Sequence, residues 1–126
     1  MNRSLRIAVV LSMLLGGCIS PQTEEELAAC RQDLTCWSDK YWTTAAPECE
    51  RLVTESAPGR FRWDLGIRVP MFDSVAWHNE AAGAVLYEGQ VIRFKMESGA
   101  WQRMRYGCTY DPASGVVALL SIRPAE

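Results

Sequence analysis

The chain has 126 residues, with 13 Lys and Arg against 15 Asp and Glu, a formal net charge of −2. That length suffices for one domain with a modest core and leaves little for a second. The mildly acidic balance argues against a nucleic-acid binder, whose surface is usually basic.

Arg3 and Arg6 open the chain, an apolar run follows from Ile7 to Leu15, and Gly16-Gly17-Cys18 closes it. A bilayer span needs roughly 20 apolar residues, so this run is too short to cross; a basic start and small residues at the end are secretory features. Leu15-Gly16-Gly17-Cys18 resembles the lipobox of bacterial lipoproteins. The resemblance implies that Cys18 receives a diacylglyceryl group and that residues 1–17 are removed as a signal peptide. Residues 18–23 then form the lipidated N-terminus and a short tether, and residues 24–126 the domain. An ordinary, non-lipidated signal peptide is the rival reading, but a cysteine at that place is what the lipoprotein pattern requires. Ile19 stands where Asp would signal inner-membrane retention, which implies the outer membrane, facing the periplasm. Two or three acyl chains of ~15 methylenes, at about 0.8 kcal/mol per buried methylene, far exceed the marginal hold of one myristoyl group. The mature chain would carry 11 basic and 15 acidic residues.

With Cys18 assigned to lipid, Cys30, Cys36, Cys49 and Cys108 remain, an even number in an oxidising compartment, and two disulfides are expected. Zinc is the alternative, but these cysteines lack the paired C-x2-C spacing of common structural sites.

Thr23-Glu24-Glu25-Glu26 reads as a capping box starting a short helix through Arg31. A second helical pattern places Trp42, Ala45, Ala46, Cys49, Leu52, Val53 and Ser56 on one face. Pro47 leaves two readings, a helix that starts near Thr44 or one from about Cys36 that is kinked; Pro58-Gly59 ends it. The period then shortens to that of a strand, with Phe61, Trp63 and Leu65 alternating against Arg60, Arg62 and Asp64. Gly66 to Val75 reads as loop. Ala84 to Tyr87, Glu88-Gly89 and Gln90 to Met96 read as a hairpin with Gly89 in the tight turn. Ser98-Gly99 turns the chain into a strand from Trp101 to Tyr110, and the cluster Asp111 to Gly115 leads to a last apolar strand, Val116 to Arg123.

Helix first and strands after predict an α+β fold: one main helix packed on a small antiparallel β-meander, two-layered and stapled by disulfides. Met104, Tyr106, Cys108 and Tyr110 share one strand face, and Ile92, Phe94 and Met96 another; both should meet the helix. That arrangement would bring Cys49 to Cys108 and leave Cys30 with Cys36, although four cysteines allow three pairings. The longer bridge would be worth about 2 to 4 kcal/mol.

From Cys36-Trp37 to Cys49, and in Gly99-Ala100-Trp101-Gln102 and Tyr106-x-Cys108-x-Tyr110-Asp111-Pro112, the chain resembles small uncharacterised exported proteins of Gram-negative bacteria. The resemblance covers about Cys36 to Pro124 and implies one helix against a small sheet with a helix-to-strand disulfide. The family has no established activity, so it supplies no functional residue.

Catalysis is not expected. His78, the single histidine, has no nucleophile and orienting acid marked out beside it, and reads as a surface loop residue; a small hydrolase built around it is the minor alternative. Neither a metal nor a cofactor is expected, because Glu24 to Glu26 are explained by the helix start and no phosphate-binding glycine loop is present. Glu48, Glu50 and Glu55 belong to a solvated helix face. The candidate binding residues are Arg93 and Lys95 on one strand and Trp101, Arg103 and Arg105 on the next, alternating with apolar positions and so sharing the outer sheet face. Such a face could attract an anionic envelope component, a lipid head group or a partner's acidic patch. The plainer reading is a solvated face balanced by Glu88 and Glu97. Trp37, Trp77 and Trp101 are weaker candidates for stacking on sugar rings. Together these features predict a membrane-anchored binding or interaction module, or an accessory subunit of an envelope secretion or assembly complex.

Overall fold

The computed structural model describes residues 22–66 and 68–126; Cys18, the signal segment and most of the tether lie outside the described residues. Two helices, α1 (Glu24–Gln32) and α2 (Leu34–Glu55), precede five antiparallel strands, β1 (Phe61–Trp63), β2 (Ser74–Asn79), β3 (Ala84–Lys95), β4 (Trp101–Asp111) and β5 (Val116–Pro124). The fold is α+β, two-layered and disulfide-bridged.

Thr23 caps α1 as its sequence requires, its Oγ1 accepting from the Glu26 amide at 3.2 Å, with three glutamates in the first turn. Asp33 then serves both helices: its amide donates to the Cys30 carbonyl, while its Oδ1 accepts from the amides of Thr35 and Cys36 at 3.0 and 3.3 Å. That cap settles the start of α2 at Leu34, ahead of both sequence readings, and the helix runs on through Pro47. Pro47 lies on the solvent side, where the carbonyl left without an amide donor one turn earlier, at exposed Thr43, can be hydrated. The opposite side carries Ala45, Cys49 and Val53, fully buried at a spacing of four.

The sheet has the order β1-β3-β4-β5, and β2 also pairs with β3. β1 covers the end of β3 (Trp63 opposite Ile92) and β2 its beginning (Val75 opposite Tyr87). The expected hairpin at Glu88-Gly89 is therefore not formed: β3 is one twelve-residue strand with an irregularity between Gly89 and Ile92. Gly89 is needed for close approach, not for a turn, because a Cβ there would collide with the carbonyl oxygen of Met71 and the ring of Tyr106. Among the described residues the positive-φ glycines are Gly83, Gly99 and Gly115, at the β2–β3, β3–β4 and β4–β5 turns.

The stretch expected to be loop from Gly66 to Val75 ends in β2, and before it places Met71 and Phe72 in the core. β1 stops at Trp63, leaving Leu65 exposed, and Met96 lies beyond β3, exposed rather than facing the helix. Met104, Tyr106, Cys108 and Tyr110 do line the inner face, with Val85, Tyr87, Ile92 and Phe94 beside them.

α2 runs the length of this face. Near its start Trp37 donates from Nε1 to the Gly83 carbonyl at 2.9 Å; near its end Thr54 Oγ1 accepts from Trp63 Nε1 at 3.1 Å. Between them Cys49 is bridged to Cys108, and Cys30 to Cys36, the pairing expected from the faces. Closing a loop of that length restricts the unfolded chain by about 4 kcal/mol for the longer bridge.

Candidate functional site

The candidate site is the sheet face turned away from the helices. Because Ile92, Phe94 and Met104 point inward, their neighbours Arg93, Lys95, Arg103 and Arg105 point outward. Strand register does the rest: Arg62 stands opposite Arg93, and Arg93 opposite Arg103, so three arginines form one row across β1, β3 and β4. Arg105 stands opposite Arg123, and Lys95 opposite Trp101. Like charges directly opposite one another are destabilising.

Loops supply part of the compensation. Asp64 forms ion pairs with Arg93, Nε to Oδ2 at 2.9 Å, and with Arg62, Nε to Oδ1 at 3.3 Å. Arg105 is held by Asp73 at 3.3 Å and by Glu88 at 3.4 Å, and the Asp73 hydrogen bond foremost raises its pKa. Glu88 is thus a counter-charge as expected, but Glu97 makes no ion pair among the described residues, and the main acids are Asp64 and Asp73. Arg103, Lys95 and Arg123 have no carboxylate within 4 Å among the described residues.

Trp101 is 41% exposed, with the Arg62 guanidinium carbon 5.7 Å and Lys95 Nζ 5.9 Å from its ring centre. Such cation–π contacts contribute about 0.5 to 1 kcal/mol each at an exposed site. A cleft of about 410 Å³, lined by Arg68, Arg103, Asp64 and Asp73, opens beside the row. A second, of about 670 Å³, lies at the sheet's end between Arg60 and Lys95.

The other aromatic candidates do not join this face. Trp37 is buried, and Trp77 is half-buried beneath Arg31, whose guanidinium lies 5.5 and 5.1 Å from the two ring centres and donates to the Glu80 carbonyl. The sugar-stacking set is thereby reduced to Trp101. His78 is exposed on β2 rather than in a loop, and makes no side-chain hydrogen bond to another described residue. Among the described residues, no three His, Cys, Asp or Glu side chains are grouped to hold a metal, and no helix is long and apolar enough to cross a membrane.

Charge is divided by layer. Residues 22–59 carry eight acids and three bases, residues 60–126 seven acids and eight bases. Sequence reasoning found the strand cations but missed Arg62, Arg123 and the two aspartates, which only register and loop path bring to the face. The chain matches no family model, no curated protein and no solved structure.

Proposed function

We propose that this chain is an envelope lipoprotein, anchored through Cys18 to the periplasmic face of the outer membrane, whose domain is a non-catalytic module that docks an acidic protein segment. The observation that carries the binding reading is the row Arg62–Arg93–Arg103. Three cations in register, with Asp64 as the only carboxylate ion-paired to them among the described residues, disfavour the sheet that holds them. Departures of that kind concentrate where a protein binds something. Two disulfides support export to an oxidising compartment.

The tether favours a protein over a lipid head group. Gln22 is held on the helical layer, its Oε1 accepting from Lys40 Nζ at 3.0 Å. Three residues lie between it and Cys18, and the four steps reach roughly 14 Å. A helix about 10 Å across, and the sheet beyond it, stand between that point and the arginine row. The row therefore faces away from the bilayer that holds the lipid.

The test uses the lipidated full chain in neutral vesicles, with a fluorescent glutamate-rich peptide as probe. Expected is salt-sensitive binding that Arg103→Glu with Trp101→Ala abolishes. Binding to phosphatidylglycerol vesicles but not to the peptide would assign the face to lipid, and absence of both would reject it.

A further inference from the structure

The two edges of the sheet differ. The free side of β3 is covered by short strands, three residues in β1 and six in β2, and β2 has a register shift between Trp77 and Asn79. Short edges of this kind offer few free backbone groups for further pairing. β5 ends the sheet on the other side with nine residues, Val116–Pro124, its one register shift against β4 falling at Leu120, and no described residue pairs with its outer edge. From Val116 to Ile122 it has neither a charge nor a proline; Arg123 and Pro124 come only at its end. Val116 and Leu120 are 55% and 52% exposed, the highest values among the large hydrophobic side chains of the described residues, with Ala118 exposed between them.

That pattern is self-complementary. An antiparallel pair of β5 strands related by a two-fold axis at Ala118 sets Val116 against Leu120 of the second copy, and Leu120 against its Val116. The small Ala118 meets itself on the axis. We propose that β5 is the contact edge of a homodimer in which two sheets join into one. The axis of such a pairing is normal to the sheet, so both helical layers lie on one side and both Gln22 ends leave toward that side. Two copies tethered in one leaflet by a few residues need that arrangement, and confinement to the leaflet raises their effective concentration. The arginine rows remain free on the opposite side.

The proposal borrows the lipid tether from the functional reading but not the acidic partner, and its test reads mass and cross-linking only. The full chain is sedimented in detergent and, as Ala118→Cys, oxidised in vesicles; Ser98→Cys serves as the distant control. Expected are a dimer, a disulfide-linked product from Ala118→Cys alone, and a rise in dimer Kd of at least about tenfold on Leu120→Lys with an unchanged circular dichroism spectrum. A monomer at every loading without cross-linked product overturns the proposal. So does a dimer indifferent to Leu120→Lys, or a different protein occupying this edge. Peptide binding that survives Leu120→Lys leaves the functional reading standing whichever result appears.

Discussion

The phenol of Tyr87, at the centre of the sheet, donates a 2.6 Å hydrogen bond to the carbonyl of Ser38 in the second turn of α2, across 49 residues of chain. Burial raises the pKa of Tyr87 well above the usual value, and burial likewise raises that of Tyr106, which donates to the Met71 carbonyl. A proton held more tightly in the folded state stabilises it fully below the unfolded tyrosine pKa of about 10 and progressively less above it. The melting temperature is expected to hold up to about pH 10 and then fall steeply, and Tyr87→Phe to shallow that fall while costing about 1 kcal/mol at neutral pH. Thermal melts across pH 8 to 12 check both.

Gly89 and Met71 set a second expectation. Gly89→Ala drives a methyl into backbone that cannot move without pulling Phe72 out of the core, and should cost about 3 kcal/mol. Gly59→Ala, with nothing near its added carbon, should be close to neutral. Urea titration of the two variants distinguishes close approach from a general intolerance of alanine.

Removing the Cys49–Cys108 bridge by double alanine substitution should cost about 4 kcal/mol, and removing Cys30–Cys36 about 2, following their loop lengths. Equal losses in chemical denaturation would contradict that ordering.

The arginine row predicts a trade. Arg103→Gln removes one member of the repulsive row and should leave the domain as stable or more stable by about 0.5 kcal/mol, while weakening the acidic peptide. Asp64→Asn should do the reverse, costing about 1 kcal/mol and tightening the peptide. A loss of stability in both variants would mean that the row is balanced rather than in tension.

At the amino terminus, Cys18→Ser should leave an unprocessed precursor with no acyl mass. Mass spectrometry of the membrane fraction reads this directly.

Much of the fold was legible where one residue pattern had one explanation. The spacing of Ala45, Cys49 and Val53 and the alternation from Met104 to Tyr110 each point to a single face, and from those two faces the cysteine pairing follows. The expectation at Gly89 failed because a glycine between two apolar runs fits a turn and a close approach equally well, and only the position of Met71 separates them. β2 escaped notice because Ser74 to Asn79 is short and follows a loop that already buries two core residues. The strand cations were visible as alternation, but Asp64 and Asp73 reach them through the tertiary path of loops, which carries no local period.

The bridge between Cys49 and Cys108 also determines how the molecule responds to force. A pull applied between its two ends opens α1 as far as the small Cys30–Cys36 loop, unwinds α2 from Cys36 to Cys49, strips off β5, and then meets the second covalent bond. Residues 50–107, the bulk of the sheet, lie inside the closed loop and are shielded from that load. At roughly 3.5 Å per residue, about 200 Å of contour length is withheld from extension until the disulfide is reduced.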